Sequence, residues 1–205
     1  VITIGRPPNI YCIGRSYAKH AKELGNPVPK DPVVFLKSTS SLRGLSWDGS
    51  YRDELLQGMH YEAEIVLQVG KRPGSTLPGI CAAGLGLDLT ERLKQVELKN
   101  AGLPWTLAKS FPGAAVVSGF TPLSDLPPWQ SWSFEFELEG ELVQTGATSQ
   151  MLFELPFLAQ YLEEKFGLLE GDLIFTGTPS GVGACRPGQA FVLSGFGKLN
   201  FSGIL

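Results

Sequence analysis

Glycine and proline recur along the whole chain, 25 and 15 of its 205 residues, and cut its apolar stretches into short runs. Runs this short, bounded by turn-forming residues, predict a fold built mostly from short β-strands. Strands are expected over 9–13, 33–37, 63–69, 80–87, 114–119, 132–138, 172–176 and 189–193. Helical spacing is rarer. One helix is expected over 17–24, capped by Ser16 and stopped by Gly25. A second is expected over 89–101, before Gly102. A third is expected over 155–166, with Pro156 in its first turn and Gly167 at its end. The Pro-rich stretch 122–129 reads as a surface loop. The expected class is α+β, β-dominated, with residues 1–205 in a single domain.

Composition narrows the function. A formal charge of −3 gives no electrostatic footprint for nucleic acid or an anionic membrane. No apolar run is long enough to span a bilayer. Cys12, Cys81 and Cys185 are few, odd in number and far apart, which fits a reducing compartment and buried thiols rather than a disulfide framework. The expected setting is the cytoplasm.

Three acids stand out. In HYEAEIVLQV (60–69), Glu62 and Glu64 are two apart, so in a strand both point to one face. The residues after them are apolar, so part of that strand is buried. Two carboxylates on a buried face repel unless a cation or base joins them. Asp88 ends the next apolar run. Three carboxylates without a His/Cys cluster suit a hard, oxygen-seeking ion such as Mg²⁺, Mn²⁺ or Ca²⁺. Spacing alone favours a plainer reading, with the glutamates on a solvent-facing edge strand and Asp88 as an N-cap.

His20 and Glu23, three apart on the first expected helix, share a face, as do Arg92 and Gln95 on the second. Lys109 sits among apolar neighbours. The stretch TGTPSGVG (176–183) offers hydroxyls and glycine-permitted backbone N–H groups, yet lacks the Gly-Lys-Ser/Thr ending of a P-loop. Each signal has an ordinary alternative: an incidental surface pair, a snorkelling lysine, a tight turn.

Their order is far more specific. GRSYAKHAKE (14–23), PVVFLK (32–37), HYEAE (60–64), LDLTER (87–92), Gln95, LPWTLAKSF (103–111), QTGAT (144–148), Gly171-Asp172 and TGTPSGVG (176–183) together resemble the fumarylacetoacetate hydrolase family, nearest its acylpyruvase and oxaloacetate decarboxylase branch. The resemblance implies a mixed β-sandwich roll, usually a homodimer. It implies Mg²⁺ or Mn²⁺ at Glu62, Glu64 and Asp88, a catalytic His20–Glu23 dyad on a lid, and Lys109 as a third catalytic group. Arg15, Gln95, Thr178 and Lys37 become the expected substrate-facing residues. The implied activity is metal-dependent C–C cleavage of a small 2-oxo acid, by acylpyruvate or fumarylpyruvate hydrolysis or by oxaloacetate decarboxylation. Isomerisation, decarboxylation or hydration of aromatic-catabolism diacids, or an idle metal-binding paralogue, are the alternatives. Ser16, Ser38, Leu93 and Glu139 stand where the family usually has Asn, Pro, Asp and Asn.

Overall fold

The computed structural model describes residues 6–18, 23, 28–43, 58–70 and 77–205. Its strands are β1 (Ile10–Gly14), β2 (Val33–Lys37), β3 (Met59–Tyr61), β4 (Ala63–Val69), β5 (Ile80–Asp88), β6 (Thr90–Glu91), β7 (Ala115–Val117), β8 (Thr121–Pro122), β9 (Ser133–Leu138), β10 (Glu141–Ala147), β11 (Leu173–Phe175), β12 (Gly183–Ala184), β13 (Ala190–Gly195) and β14 (Leu199–Ile204). The helices whose full extent lies among the described residues are α1 (Arg92–Asn100), α2 (Thr106–Lys109) and α3 (Leu155–Phe166). The β-dominated expectation holds.

Seven strands form the main sheet, ordered β2-β1-β11-β4-β5-β7, with β8 also paired to β5. A second sheet runs β10-β9-β13-β14, and a small one β12-β3-β6. Every residue of β4 is buried, because both faces of its sheet are covered. That explains its nearly continuous apolar run. On one face Ile65, Leu85 and Leu87 meet Phe134, Phe136 and Leu193 of the second sheet and Leu155, Leu158 and Leu162 of α3. On the other face Val66, Phe175, Ile10 and Cys12 form a smaller cluster.

The expected third helix matches its observed bounds, with Pro156 in its first turn and Gly167 ending it in the left-handed region, φ 67°. The second helix starts later than expected, at Arg92, because Thr90 and Glu91 pair with His60 and Met59 of β3. The strands expected over 114–119 and 172–176 are shorter, each with three residues in register. Strands β10 and β14 were not expected. Of the first helix, Ala18 and Glu23 are described as helical and the rest lies outside the described residues. Ser16 makes no capping bond among the described residues, for its hydroxyl is buried without a hydrogen-bond partner. Cys12 and Cys185 are buried, Cys81 is half-buried, and none is in a disulfide. Burial pushes the Cys185 thiol up to about 12.

Candidate functional site

The three acids converge where the start of β4 lies against the end of β5, with Ala63 opposite Leu87 and Glu64 opposite Gly86. Glu62 occupies the one-residue break between β3 and β4, and Asp88 is the last residue of β5. Their exposures are 6%, 2% and 0%, so the solvent-facing reading of the pair does not hold. One oxygen of each lies within 4.8 Å of the others.

Buried like charges need compensation. Lys109, also buried, places Nζ 2.8 Å from Glu62 Oε2, 2.7 Å from Asp88 Oδ2 and 2.6 Å from Thr90 Oγ1. All three ammonium protons are thereby committed, and this lysine does not snorkel. Burial acts to lower its pKa, but Asp88 and Glu62 together outweigh burial and the net shift is upward. Phe35 places its ring 4.9 Å from the same nitrogen. Arg92 donates to Glu62 Oε1 and to Gln95 Oε1, both at 2.5 Å.

Lys37 departs from its expected place. Its side chain is fully buried behind Asp88, with Nζ 2.7 Å from Oδ1 and hydrogen bonds to the carbonyls of Leu89 and Lys109. It braces a carboxylate from behind rather than facing a substrate.

Three carboxylates thus meet three cations, Lys37, Lys109 and Arg92, but unevenly. Among the described residues no cation pairs with Glu64, whose Oε2 accepts the Gly177 N–H at 2.7 Å. Burial, then Asp88 and Glu62, push its carboxyl well above the usual carboxylate range. Asp88 Oδ1, although close to Lys37, is buried without a hydrogen bond of good geometry. An all-oxygen cluster in which, among the described residues, no cation pairs with one carboxylate fits a hard divalent cation.

The cluster floors a narrow cleft of about 40 Å³, walled by Phe35 and Trp105 and rimmed by Arg15, Gln95, Lys99 and Thr178. That space holds an ion together with a few waters. Arg15, at φ 57°, holds a left-handed conformation at the end of β1. The pKa of Lys99 is lowered by desolvation, then by Arg15 and Arg92, which marks a cationic rim. Thr178 reaches the cleft, but its hydroxyl donates to Ala63 O and accepts from Gln144. Glu23 is exposed and accepts the Gly181 N–H at 3.0 Å, which ties it to the 176–183 turn. His20 lies outside the described residues. Thr90, Lys99, Phe35 and Trp105 were not among the expected site residues, and Arg92 was marked only by the helical face it shares with Gln95. The Trp105 signal lay in LPWTLAKSF, whereas nothing in spacing marks Thr90 as a partner of Lys109.

The family model for the C-terminal part of fumarylacetoacetate (FAA) hydrolase matches residues 9–200. The chain belongs to that family. It is 40% identical over 184 residues to "Oxaloacetate tautomerase FAHD2, mitochondrial" of Oryza sativa, covering 86% of this chain and 81% of the relative. To "Oxaloacetate decarboxylase, mitochondrial" of Dictyostelium discoideum it is 39% identical, covering 88% and 85%. Among solved structures, fumarylpyruvate hydrolase from Pseudomonas aeruginosa, in complex with Mn²⁺ and pyruvate, superposes with a TM-score of 0.85 at 28% identity, covering 98% of this chain and 97% of that one. These members of the family act on 2-oxo acids, as their names state. No helix among the described residues is long and apolar enough to cross a membrane.

Proposed function

We propose that this family member is a divalent-metal-dependent enzyme acting on a small 2-oxo dicarboxylate, and that it decarboxylates oxaloacetate. The observation that carries this reading is the charge count of the buried cluster. Three carboxylates and three cations cancel, so a Mg²⁺ or Mn²⁺ ion held by Glu62, Glu64 and Asp88 leaves two positive charges beside a rim of Arg15 and Lys99. With Arg15 and Lys99 the surplus is four positive charges, which favours a dianion over a monoanion.

The ion supplies Lewis-acid polarisation of the ketone. The chain supplies the rest. Arg15 and Lys99 neutralise carboxylate charge at the mouth. Lys109 trades one of its three bonds, that to Thr90 being the neutral one, for the ketone oxygen, where negative charge collects. As the C3–C4 bond breaks, its electron pair moves toward that oxygen and CO₂ leaves. Protonation at C3 then gives pyruvate. No step needs an activated water.

A second reading, enol–keto interconversion of oxaloacetate, is supported by the names of several relatives at 38–42% identity. It places charge on the same oxygen and differs only in moving a proton at C3 instead of losing CO₂. Hydrolysis of an acylpyruvate needs in addition a base for water, the role given to His20 with Glu23. The test is one substrate panel, with Mn²⁺ and with EDTA. Enol loss is followed by ultraviolet absorbance, pyruvate and CO₂ release from oxaloacetate, and cleavage of an acylpyruvate. EDTA-resistant turnover, or turnover of no 2-oxo acid, overturns the proposal. Assembly as a homodimer is part of it, and light scattering on the purified protein tests that.

A further inference from the structure

We propose that Gln144 is a positioning residue for the carboxylate cluster: it fixes the peptide between Glu62 and Glu64 and ties that peptide to the 176–183 turn. The inference rests on the metal-binding reading above. Gln144 belongs to β10, in the second sheet, and no carboxylate of the cluster comes from that sheet.

The route from β10 to the site is a local irregularity. The pairing of β10 with β9 shifts register between Leu142 and Gln144. Such a bulge re-aims the side chain that follows it. Here the re-aimed side chain is 2% exposed and bonded at both polar atoms. Oε1 accepts the Ala63 N–H at 3.0 Å, and Nε2 donates to Thr178 Oγ1 at 2.8 Å and to Pro179 O at 3.1 Å. Thr178 closes the circuit by donating to Ala63 O at 2.9 Å.

Ala63 is the residue between the two glutamates. One side-chain pair therefore holds its N–H and its C=O together. It stands beside the one-residue break between β3 and β4. Rotation of the flanking peptides would swing Glu62 and Glu64 apart, and the Gln144–Thr178 pair opposes it. The turn is seated on this same stretch of β10. A Cβ on Gly181, at φ +98°, would lie 2.5 Å from Val143 O and 3.3 Å from Gln144 Cγ. One on Gly146 would lie 3.2 Å from Pro179 Cγ. The QTGAT segment thereby acquires a role: its glutamine reaches the site, and its glycine admits the turn.

The test is calorimetric titration of Mn²⁺ into the full chain, with melting of the metal-free protein measured alongside. Gln144→Met keeps length and removes the bonds. It is expected to fold and to bind Mn²⁺ about 10–100-fold more weakly, the usual cost of losing a group that orients a metal ligand. Thr178→Val is expected to weaken binding too, and the double variant by less than the product of the two, because both act on one peptide. Phe191→Leu, in the core of the same second sheet, is the control: it should melt earlier yet bind Mn²⁺ as the wild type does. Wild-type affinity in Gln144→Met overturns the proposal, as does an equal loss in Phe191→Leu. Should Gln144→Met fail to fold, wild-type affinity in Thr178→Val overturns it. A wild-type protein that takes up no Mn²⁺ defeats the metal reading first, and this proposal with it.

Discussion

Lys37 and Lys109 close on Asp88 from opposite sides, one ammonium 2.7 Å from each carboxylate oxygen, and Lys37 also bonds the main-chain carbonyl of Lys109. Replacing Lys37 by Met keeps most of its volume and leaves a buried carboxylate half-compensated. The expected loss is about 3–5 kcal/mol of stability in the metal-free protein, the usual cost of breaking a buried pair by removing one partner. Urea unfolding in EDTA measures it. An unchanged midpoint would show that Lys37 does not brace Asp88.

Glu64 predicts an unusual response to pH. Burial beside Asp88 and Glu62 makes its folded-state carboxyl titrate well above the ordinary glutamate value of 4.5. The unfolded chain therefore ionises first as pH rises past about 4.5, and the metal-free fold loses stability until the folded value is passed. Above that the loss is constant. Glu64→Gln should flatten this decline, melt later than wild type at neutral pH in EDTA, and no longer be stabilised by Mn²⁺. In the wild type, Mn²⁺ should bind more tightly as pH rises across the same window, with proton release. Melting curves over a pH series, with and without Mn²⁺, check both claims.

Gly177 should be irreplaceable. At φ +102° a side chain is strained, and a Cβ would lie 2.4 Å from Ser16 Cβ and 2.9 Å from Ile13 O. Gly177→Ala should cost about 1–3 kcal/mol from backbone strain alone, with overlap added. It should also displace the N–H that Glu64 accepts, so Mn²⁺ affinity should fall along with the melting temperature. An alanine variant with normal Mn²⁺ affinity would mean that the turn does not govern Glu64.

Two variants separate the chemistries. Lys109→Met removes the ammonium nearest the developing charge and should depress both oxaloacetate decarboxylation and acylpyruvate cleavage. His20→Ala should cost acylpyruvate cleavage a general-base contribution of roughly 10²–10⁴-fold and spare decarboxylation by comparison. Rates on both substrates at saturating Mn²⁺ decide it. Equal losses in His20→Ala would assign the histidine a role common to both reactions.

Much of this was legible in the sequence, for identifiable reasons. The Glu62–Glu64 pair follows from period-two alternation, which survives the break at Glu62 because β3 and β4 flank it with one residue between them. Helix α3 was readable to the residue because Pro156 and Gly167 punctuate it locally. What escaped was non-local. Helix α1 is shortened by a pairing with β3. The placement of Lys37 is decided by Leu89 and Lys109, 52 and 72 residues away, and that of Gln144 by Ala63, 81 residues away. Strand β14 escaped because its positions alternate only between half-buried and exposed.

Strand β11 sits between β1 and β4, parallel to the former and antiparallel to the latter. Asn9, just before β1, bonds Asp172, just before β11, across 163 residues. During synthesis β1 must wait for its central neighbour. At roughly 5–20 residues per second, the gap before residue 173 is made lasts on the order of ten to thirty seconds. For that interval Ile10 and Cys12 lack Leu173 and Phe175 of their cluster, and the Glu64 carboxylate lacks the Gly177 N–H that follows β11. The carboxylate cluster therefore reaches its full set of contacts only late in synthesis, once Gly177 has been made.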